Sequence, residues 1–211
     1  MIFSRDSLLL YAVTDRSWLG ERSLCEQVEL AIQGGVTCVQ LREKNMDEDE
    51  MIEEAAALRK VCHSYGVPLI VNDNWHAALK AGADGVHVGI EDSPVAEIRR
   101  IAGSNFIIGA TAKTVQQAQD AENAGADYLG VGAVFPSPTK KNAVRITRDM
   151  LREICGSVKI PSVAIGGITL ENVSEIAGCG EAGIAVVSAV FAADDVKSAA
   201  AALINKLRKQ L

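Results

Sequence analysis

The sequence predicts an α/β fold, a single (β/α)8 TIM barrel spanning residues 1–211, and three observations carry that expectation. Short, continuously apolar runs rich in β-branched residues alternate with longer stretches patterned as helices, and the alternation recurs eight times. Glycines recur where a helix should end and the next strand begin. No Pro-, Ser- or Gly-rich linker divides the chain, whose length suits one domain.

The candidate strands, in order, are Leu8–Thr14, Cys38–Arg42, Pro68–Asn72, Gly85–Val88, Phe106–Thr111, Tyr128–Val134, Pro161–Ile165 and Ile184–Val187. Their unbroken hydrophobicity suits parallel strands covered on both faces. Ser23–Gln33, Asp47–Tyr65, Val115–Ala124 and Asp194–Lys209 read as helices between them. The stretch from Asp47 is the clearest, with acidic residues at its start and Arg59 and Lys60 near its end, as a helix dipole favours. An internal echo, Gly34-Gly35-Val36, Ala81-Gly82-Ala83-Asp84-Gly85 and Ala124-Gly125-Ala126-Asp127-Tyr128, marks the helix-to-strand junctions. Glycine supplies the positive-φ cap there. An open doubly wound sheet has the same local pattern. The eight units favour closure into a barrel near the lower size limit of that fold.

Composition narrows the function. Hydrophobic residues make up 48% of the 211 and charged residues 23%, the balance of a soluble globular protein. A net charge of −6 without a basic block argues against nucleic acid as a partner. The apolar run Leu8–Val13 is too short for a signal peptide or a membrane span, so the expected location is cytoplasmic, with no membrane partner. Cys25, Cys38, Cys62, Cys155 and Cys179 are widely spaced, which fits reduced thiols better than disulfides or a zinc site. Nothing in the pattern opposes assembly into a homo-oligomer.

Barrels carry function at the C-terminal ends of their strands, and polar residues gather at those ends here. The second strand runs into Gln40-Leu41-Arg42-Glu43-Lys44, where alternation puts Gln40, Arg42 and Lys44 on one side. The third ends in Asn72-Asp73, and the fourth runs through His87 to Asp92. Thr111 ends the fifth, and the sixth leads to Ser137, Pro138, Thr139 and Lys140. Gly166-Gly167 and Val187-Ser188 close the seventh and eighth. Asp73 and Asp92 follow neighbouring strands, as two carboxylates sharing Mg2+ with substrate phosphates would. Arg42, Lys44 and Lys140 would neutralise a pyrophosphate, and the glycine pair with Ser188 would cup a second phosphate. Taken singly, each has a plainer reading: the aspartates as helix caps, His87 as a hydrogen-bonded packing residue, the glycines as a turn. The expectation rests on their joint placement on one rim.

At these positions the sequence resembles the thiamine-phosphate synthase family. The resemblance runs through Tyr11-Ala12-Val13-Thr14-Asp15, Gln40–Lys44, Asn72-Asp73, Asp84–Gly89 with Asp92, Gly125–Gly132, Phe135-Pro136, Thr139-Lys140, Ala164–Ile168 and Val186–Ser188, in order along essentially the whole chain. It implies a transferase of thiamine biosynthesis that joins a hydroxymethylpyrimidine pyrophosphate to a thiazole phosphate by dissociative, Mg2+-assisted loss of pyrophosphate. On that resemblance Gln40, Arg42, Lys44 and Asn72 grip the pyrimidine substrate, while Asp73 and Asp92 hold Mg2+. Lys140 and Arg42 stabilise the departing pyrophosphate, and Thr111 stands near the reacting group in place of the family's usual serine. Ser137, Thr139, Gly167, Val187 and Ser188 shape the thiazole-phosphate pocket. Ile90 occupies a position where the family usually carries glutamine, and Pro138 stiffens the loop before Thr139. The competing readings are a thiazole tautomerase-like paralogue, which needs no pyrophosphate–metal site, and a non-catalytic barrel that binds a phosphate ligand.

Overall fold

Each strand is a short apolar run whose alternate side chains face opposite ways, and the two faces bury into two different cores. The computed structural model describes residues 3–136 and 144–210. Its strands are β1 (Leu10–Val13), β2 (Cys38–Leu41), β3 (Leu69–Asn72), β4 (Gly85–Val88), β5 (Ile107–Ala112), β6 (Tyr128–Gly132), β7 (Ser162–Ile165) and β8 (Gly183–Val186). All neighbours pair in parallel, and β8 closes onto β1. The expected eight-stranded closed barrel is therefore present. The helices are α1 (Leu24–Gln33), α2 (Glu48–Ser64), α3 (Trp75–Ala81), α4 (Val95–Ala102), α5 (Val115–Asn123), α6 (Arg148–Gly156), α7 (Ser188–Phe191) and α8 (Val196–Leu207).

The strand bounds follow the apolar runs to within two residues at either end, the widest differences being the start of β1 and the end of β6, which stops at Gly132 rather than Val134. Leu8 closes a 3-10 turn (Arg5–Leu8) rather than opening β1. The carbonyl of Leu9 accepts the Ile184 N–H, so strand pairing begins only at the next residue.

Side-chain parity divides the barrel. Leu10, Ala12, Val39, Leu41, Val71, Val86 and Leu129 point outward into the layer shared with the helices. Tyr11, Cys38, Ile70, Tyr128, Val163 and Ala185 point inward and fill the barrel. The interior mixes very large with very small groups. A β-carbon on Gly109 would overlap the Tyr128 ring and hydroxyl, so this position must lack one for the tyrosine to cross the barrel.

The glycine echo works as expected: Gly35, Gly82 and Gly125 all hold positive φ, at 110°, 68° and 97°. The aspartates inside the echo have a second task. Asp84 Oδ2 accepts the Leu69 N–H at 2.8 Å, and Asp127 Oδ2 accepts the Ile108 N–H at 2.7 Å. Each aspartate thus satisfies a backbone donor at the beginning of the preceding strand. Helix starts are likewise closed by local chemistry: Ser23 and Glu26 form a capping box on α1, and Asp47 accepts the Glu50 N–H at 2.8 Å on α2. The five cysteines carry free thiols. Among the described residues, no helix is long and apolar enough to cross a membrane.

Candidate active site

The inward parity of the strands delivers polar side chains to a cavity of about 200 Å³ at their C-terminal ends. Its lining includes Gln40, Arg42, Asn72, Thr111, Gly167 and Ser188, one or more residues from each of β2, β3, β5, the loop after β7 and the start of α7. Val187 lines it as well. The positions read from separate strand ends therefore converge on one space. Lys44 does not line it; the strand ends at Leu41, and Lys44 is exposed two residues beyond Arg42. Ser137, Thr139 and Lys140 lie outside the described residues.

Thr14 fixes the approach of Arg42. Its backbone N–H donates to the Gln40 carbonyl at 2.9 Å, and its buried hydroxyl accepts the Arg42 N–H at 3.0 Å. Arg16 braces the same corner by donating to Glu43 at 2.8 Å and Glu54 at 2.7 Å, which ties the end of β2 to α2. Burial still holds the Glu43 pKa above the usual carboxylate range, against the pull of Arg16.

Asp73 and Asp92 stand together at the exposed rim. Neither caps a helix: Asn74 accepts the Ala77 N–H at the start of α3, and α4 begins after Pro94. The plainer reading of these carboxylates is thereby removed. Asp73 holds φ at 61°, the one non-glycine residue in the left-handed region among those described. Asn72 Nδ2 donates to Asp73 Oδ2 at 2.5 Å, and Asp92 Oδ2 accepts the Gly89 N–H at 2.7 Å. The surroundings of the Asp73 carboxyl, and after them the facing Asp92, push its pKa up to about 6; Asn72 and Arg42 oppose the rise.

Two mutually repelling, oxygen-only donors fit a hard divalent cation. Among the described residues, no three His, Cys, Asp or Glu side chains gather into a cage. An ion held by Asp73 and Asp92 would complete its shell with water or substrate oxygens, as Mg2+ does. Ile90, between His87 and Asp92, is 51% exposed.

His87 is the hydrogen-bonded packing residue that its place on a strand suggested. Nδ1 meets the Tyr128 hydroxyl and Nε2 meets the Thr111 hydroxyl, each at 3.1 Å. Burial pushes its pKa down to about 4, so the ring is neutral near pH 7. Both nitrogens are engaged, which leaves none free to act as a base on a ligand.

Sequence reading missed Lys113, Tyr11 and Val13, all of which line the cavity. Lys113 shares inward parity with Thr111 but follows the last residue of β5, so it reads as a loop residue. Tyr11 reads as core because it lies inside an apolar run. Opposite Arg42 and Asn72, Gly166 and Gly167 hold φ at 104° and 63°. A β-carbon on Gly167 would overlap the Pro136 carbonyl, so glycine lets the loop after β7 press against the segment after β6. Asn172 secures that turn by donating to the Gly167 carbonyl at 2.9 Å.

The comparisons with known proteins agree with one another. A family model described as thiamine monophosphate synthase matches residues 10–190. Thiamine-phosphate synthase 2 of Streptococcus pneumoniae is 42% identical over 208 residues, covering 99% of both chains. The thiamine-phosphate synthase of Clostridium acetobutylicum is 44% identical over 200 residues, covering 95% of each. The solved structure of thiamine phosphate pyrophosphorylase from Pyrococcus furiosus superimposes with a TM-score of 0.91 at 42% identity, over 98% of each chain. With full-length sequence similarity, a matching family model and the same closed barrel, the chain belongs to the thiamine-phosphate synthase family of transferases.

Proposed function

We propose that residues 1–211 form one barrel domain that joins 4-amino-5-hydroxymethyl-2-methylpyrimidine pyrophosphate to 4-methyl-5-(2-phosphooxyethyl)thiazole, giving thiamine phosphate and pyrophosphate in the cytoplasm. The observation that carries this reading is the two-sided cavity. Gln40, Arg42 and Asn72 form one wall beside the Asp73–Asp92 pair, and Gly166, Gly167 and Ser188 form the other. Two anion-binding walls facing one space suit two phosphorylated substrates.

The reaction this supports is dissociative. The bond from the pyrimidine methylene to oxygen breaks, and its electron pair leaves with pyrophosphate. The thiazole nitrogen then donates its lone pair to the methylene cation, forming the new C–N bond. No general base is needed, in keeping with a His87 whose two nitrogens are both engaged. Arg42 and Lys140 would stabilise charge on the departing group, joined by Lys113, which lines the same cavity. Lys44 would guide the pyrophosphate from the exposed rim. Asp73 and Asp92 would hold Mg2+, which when bound supplies further screening of phosphate charge. Asn72 would position Asp73 through their hydrogen bond. Thr111 would face the pyrimidine, while Ser137, Thr139, Gly167, Val187 and Ser188 would enclose the thiazole phosphate.

The stoichiometry of pyrophosphate release tests this. With both substrates and Mg2+, one pyrophosphate is expected for each thiamine phosphate formed. Release of inorganic phosphate instead, without coupling to the thiazole, would mean that the barrel is a hydrolase. Lys140→Ala should lower kcat far more than it raises KM for the thiazole phosphate; a pure thiazole KM effect contradicts the placement of Lys140 on the leaving group.

A further inference from the structure

The inward faces of five strands carry hydroxyl, imidazole and amide groups that connect into one line through the barrel. Gln40 Nε2 donates to the Tyr11 hydroxyl at 2.8 Å, and the Tyr11 and Tyr128 hydroxyls meet at 2.8 Å. Tyr128 meets His87 Nδ1, and His87 Nε2 meets Thr111, both at 3.1 Å. The middle of the line is closed to water, since Tyr11 is 1% exposed and Tyr128 is fully buried. Burial raises both phenols well above their usual pKa, so both keep their hydrogens. The space for the rings comes from absent side chains: a β-carbon on Gly109 would overlap Tyr128, and one on Gly130 would lie 2.9 Å from His87 Cε1.

Counting hydrogens gives the line a direction. Each phenol has one hydrogen to give. With Gln40 donating to Tyr11, the Tyr11 hydrogen must go to Tyr128, and the Tyr128 hydrogen to His87 Nδ1. The imidazole then carries its hydrogen on Nε2 and gives it to Thr111, whose own hydroxyl hydrogen is left for the cavity. A doubly protonated ring would donate at both nitrogens and leave one of the two phenol hydrogens without an acceptor in the line. The only other consistent arrangement rotates the Gln40 amide and moves the imidazole hydrogen to Nδ1 together. The two ends are therefore coupled: Gln40 offers its carbonyl oxygen to the cavity when Thr111 offers a hydrogen, and the reverse arrangement exchanges both.

We propose that Tyr11, Tyr128 and His87 are positioning residues that polarise Gln40 as an acceptor and Thr111 as a donor, so that the site selects a ring carrying an exocyclic amine and an unprotonated ring nitrogen. This rests on the pyrimidine reading above. The oxo counterpart of such a ring presents a carbonyl and a ring N–H, which asks both ends of the line for the opposite polarity. Discrimination between the two rings would thus be set by the line of hydrogen bonds behind Gln40 and Thr111 as well as by those two side chains.

The test compares kcat/KM for the aminopyrimidine pyrophosphate and its oxo counterpart in the wild type, Tyr128→Phe and Tyr11→Phe. Each variant keeps the ring and deletes one link. The amino-over-oxo preference is expected to fall by about tenfold or more in both, because a missing link lets Gln40 and Thr111 turn independently. An unchanged preference in a folded, active variant overturns the proposal. Nitrogen-15 NMR of labelled histidine in the wild type gives an answer independent of the variants' folding and of turnover. The Nε2–H tautomer of His87 is expected, and an Nδ1–H tautomer overturns the proposal. A wild type that makes no thiamine phosphate while showing the Nε2–H tautomer would defeat the functional reading and its selectivity claim, but not the polarity of the line.

Discussion

Asp92→Asn is expected to lower turnover by about a hundredfold or more, a loss of roughly 3 kcal/mol of transition-state stabilisation of the kind that metal and oxyanion contacts supply. The fold should be unaffected. Asp92 is exposed, and its hydrogen bond from the Gly89 N–H at 2.7 Å can be kept by the asparagine carbonyl oxygen. What is lost is one of two carboxylates whose mutual repulsion, after burial, raises the Asp73 pKa to about 6. Removing a charge from such a pair relieves the repulsion but weakens any hold on a divalent cation. The measurement is a magnesium titration of the initial rate: the variant should need far more Mg2+ and still not reach the wild-type maximum. Wild-type turnover with an unchanged magnesium dependence would show that the pair does not hold the metal.

Arg99→Ala should produce the largest loss of stability for a single surface-proximal side chain. Arg99 stands in the last turn of α4, and its guanidinium serves three segments. Nη1 donates to the Gly103 and Phe106 carbonyls at 2.6 Å each. Nε and Nη2 donate to the Gly125 carbonyl at 3.1 and 2.9 Å, and Nη2 reaches Asp127 at 2.6 Å. The side chain is only 20% exposed, and Asp127 also satisfies the Ile108 N–H at the start of β5. Truncation leaves three carbonyls and a carboxylate short of a donor, at a cost of about 2–3 kcal/mol. For a chain of this size that lowers the melting temperature by roughly 4–12 °C. Lysine restores the charge without the planar fork, so Arg99→Lys should recover under half of the loss. A shift below about 2 °C in Arg99→Ala would mean that these bonds contribute no more than water does.

How far the sequence reveals the fold depends on which signal each element carries. The eight apolar runs are legible because parallel barrel strands bury both faces, and the observed strands fall within them or overrun them by a residue. The glycine echo is legible because positive φ at Gly35, Gly82 and Gly125 leaves few alternatives to glycine. The aspartates of that echo are visible as a repeat, but their duty toward the Leu69 and Ile108 N–H groups spans strands and appears only in three dimensions.

The candidate site divides in the same way. Gln40, Arg42, Asn72 and Thr111 could be placed on one rim because polar groups at the ends of apolar strands stand out. Lys113 could not, since parity counting loses its footing once a strand has ended. Lys44 shows the same limit in reverse: parity assigns it to the cavity side, which the chain leaves after Arg42, one residue past the end of β2. Tyr11 and Tyr128 are hidden by their own hydrophobicity: their rings fill the core, while their hydroxyls build the polar line inside it.

Incubating the protein with the pyrimidine pyrophosphate, the thiazole phosphate and Mg2+, and assaying thiamine phosphate directly, tests the central claim. Steady formation of thiamine phosphate, dependent on all three additions, is the expected result. No thiamine phosphate, together with isomerisation of a thiazole carboxylate supplied in place of the thiazole phosphate, would contradict it and make the barrel a tautomerase.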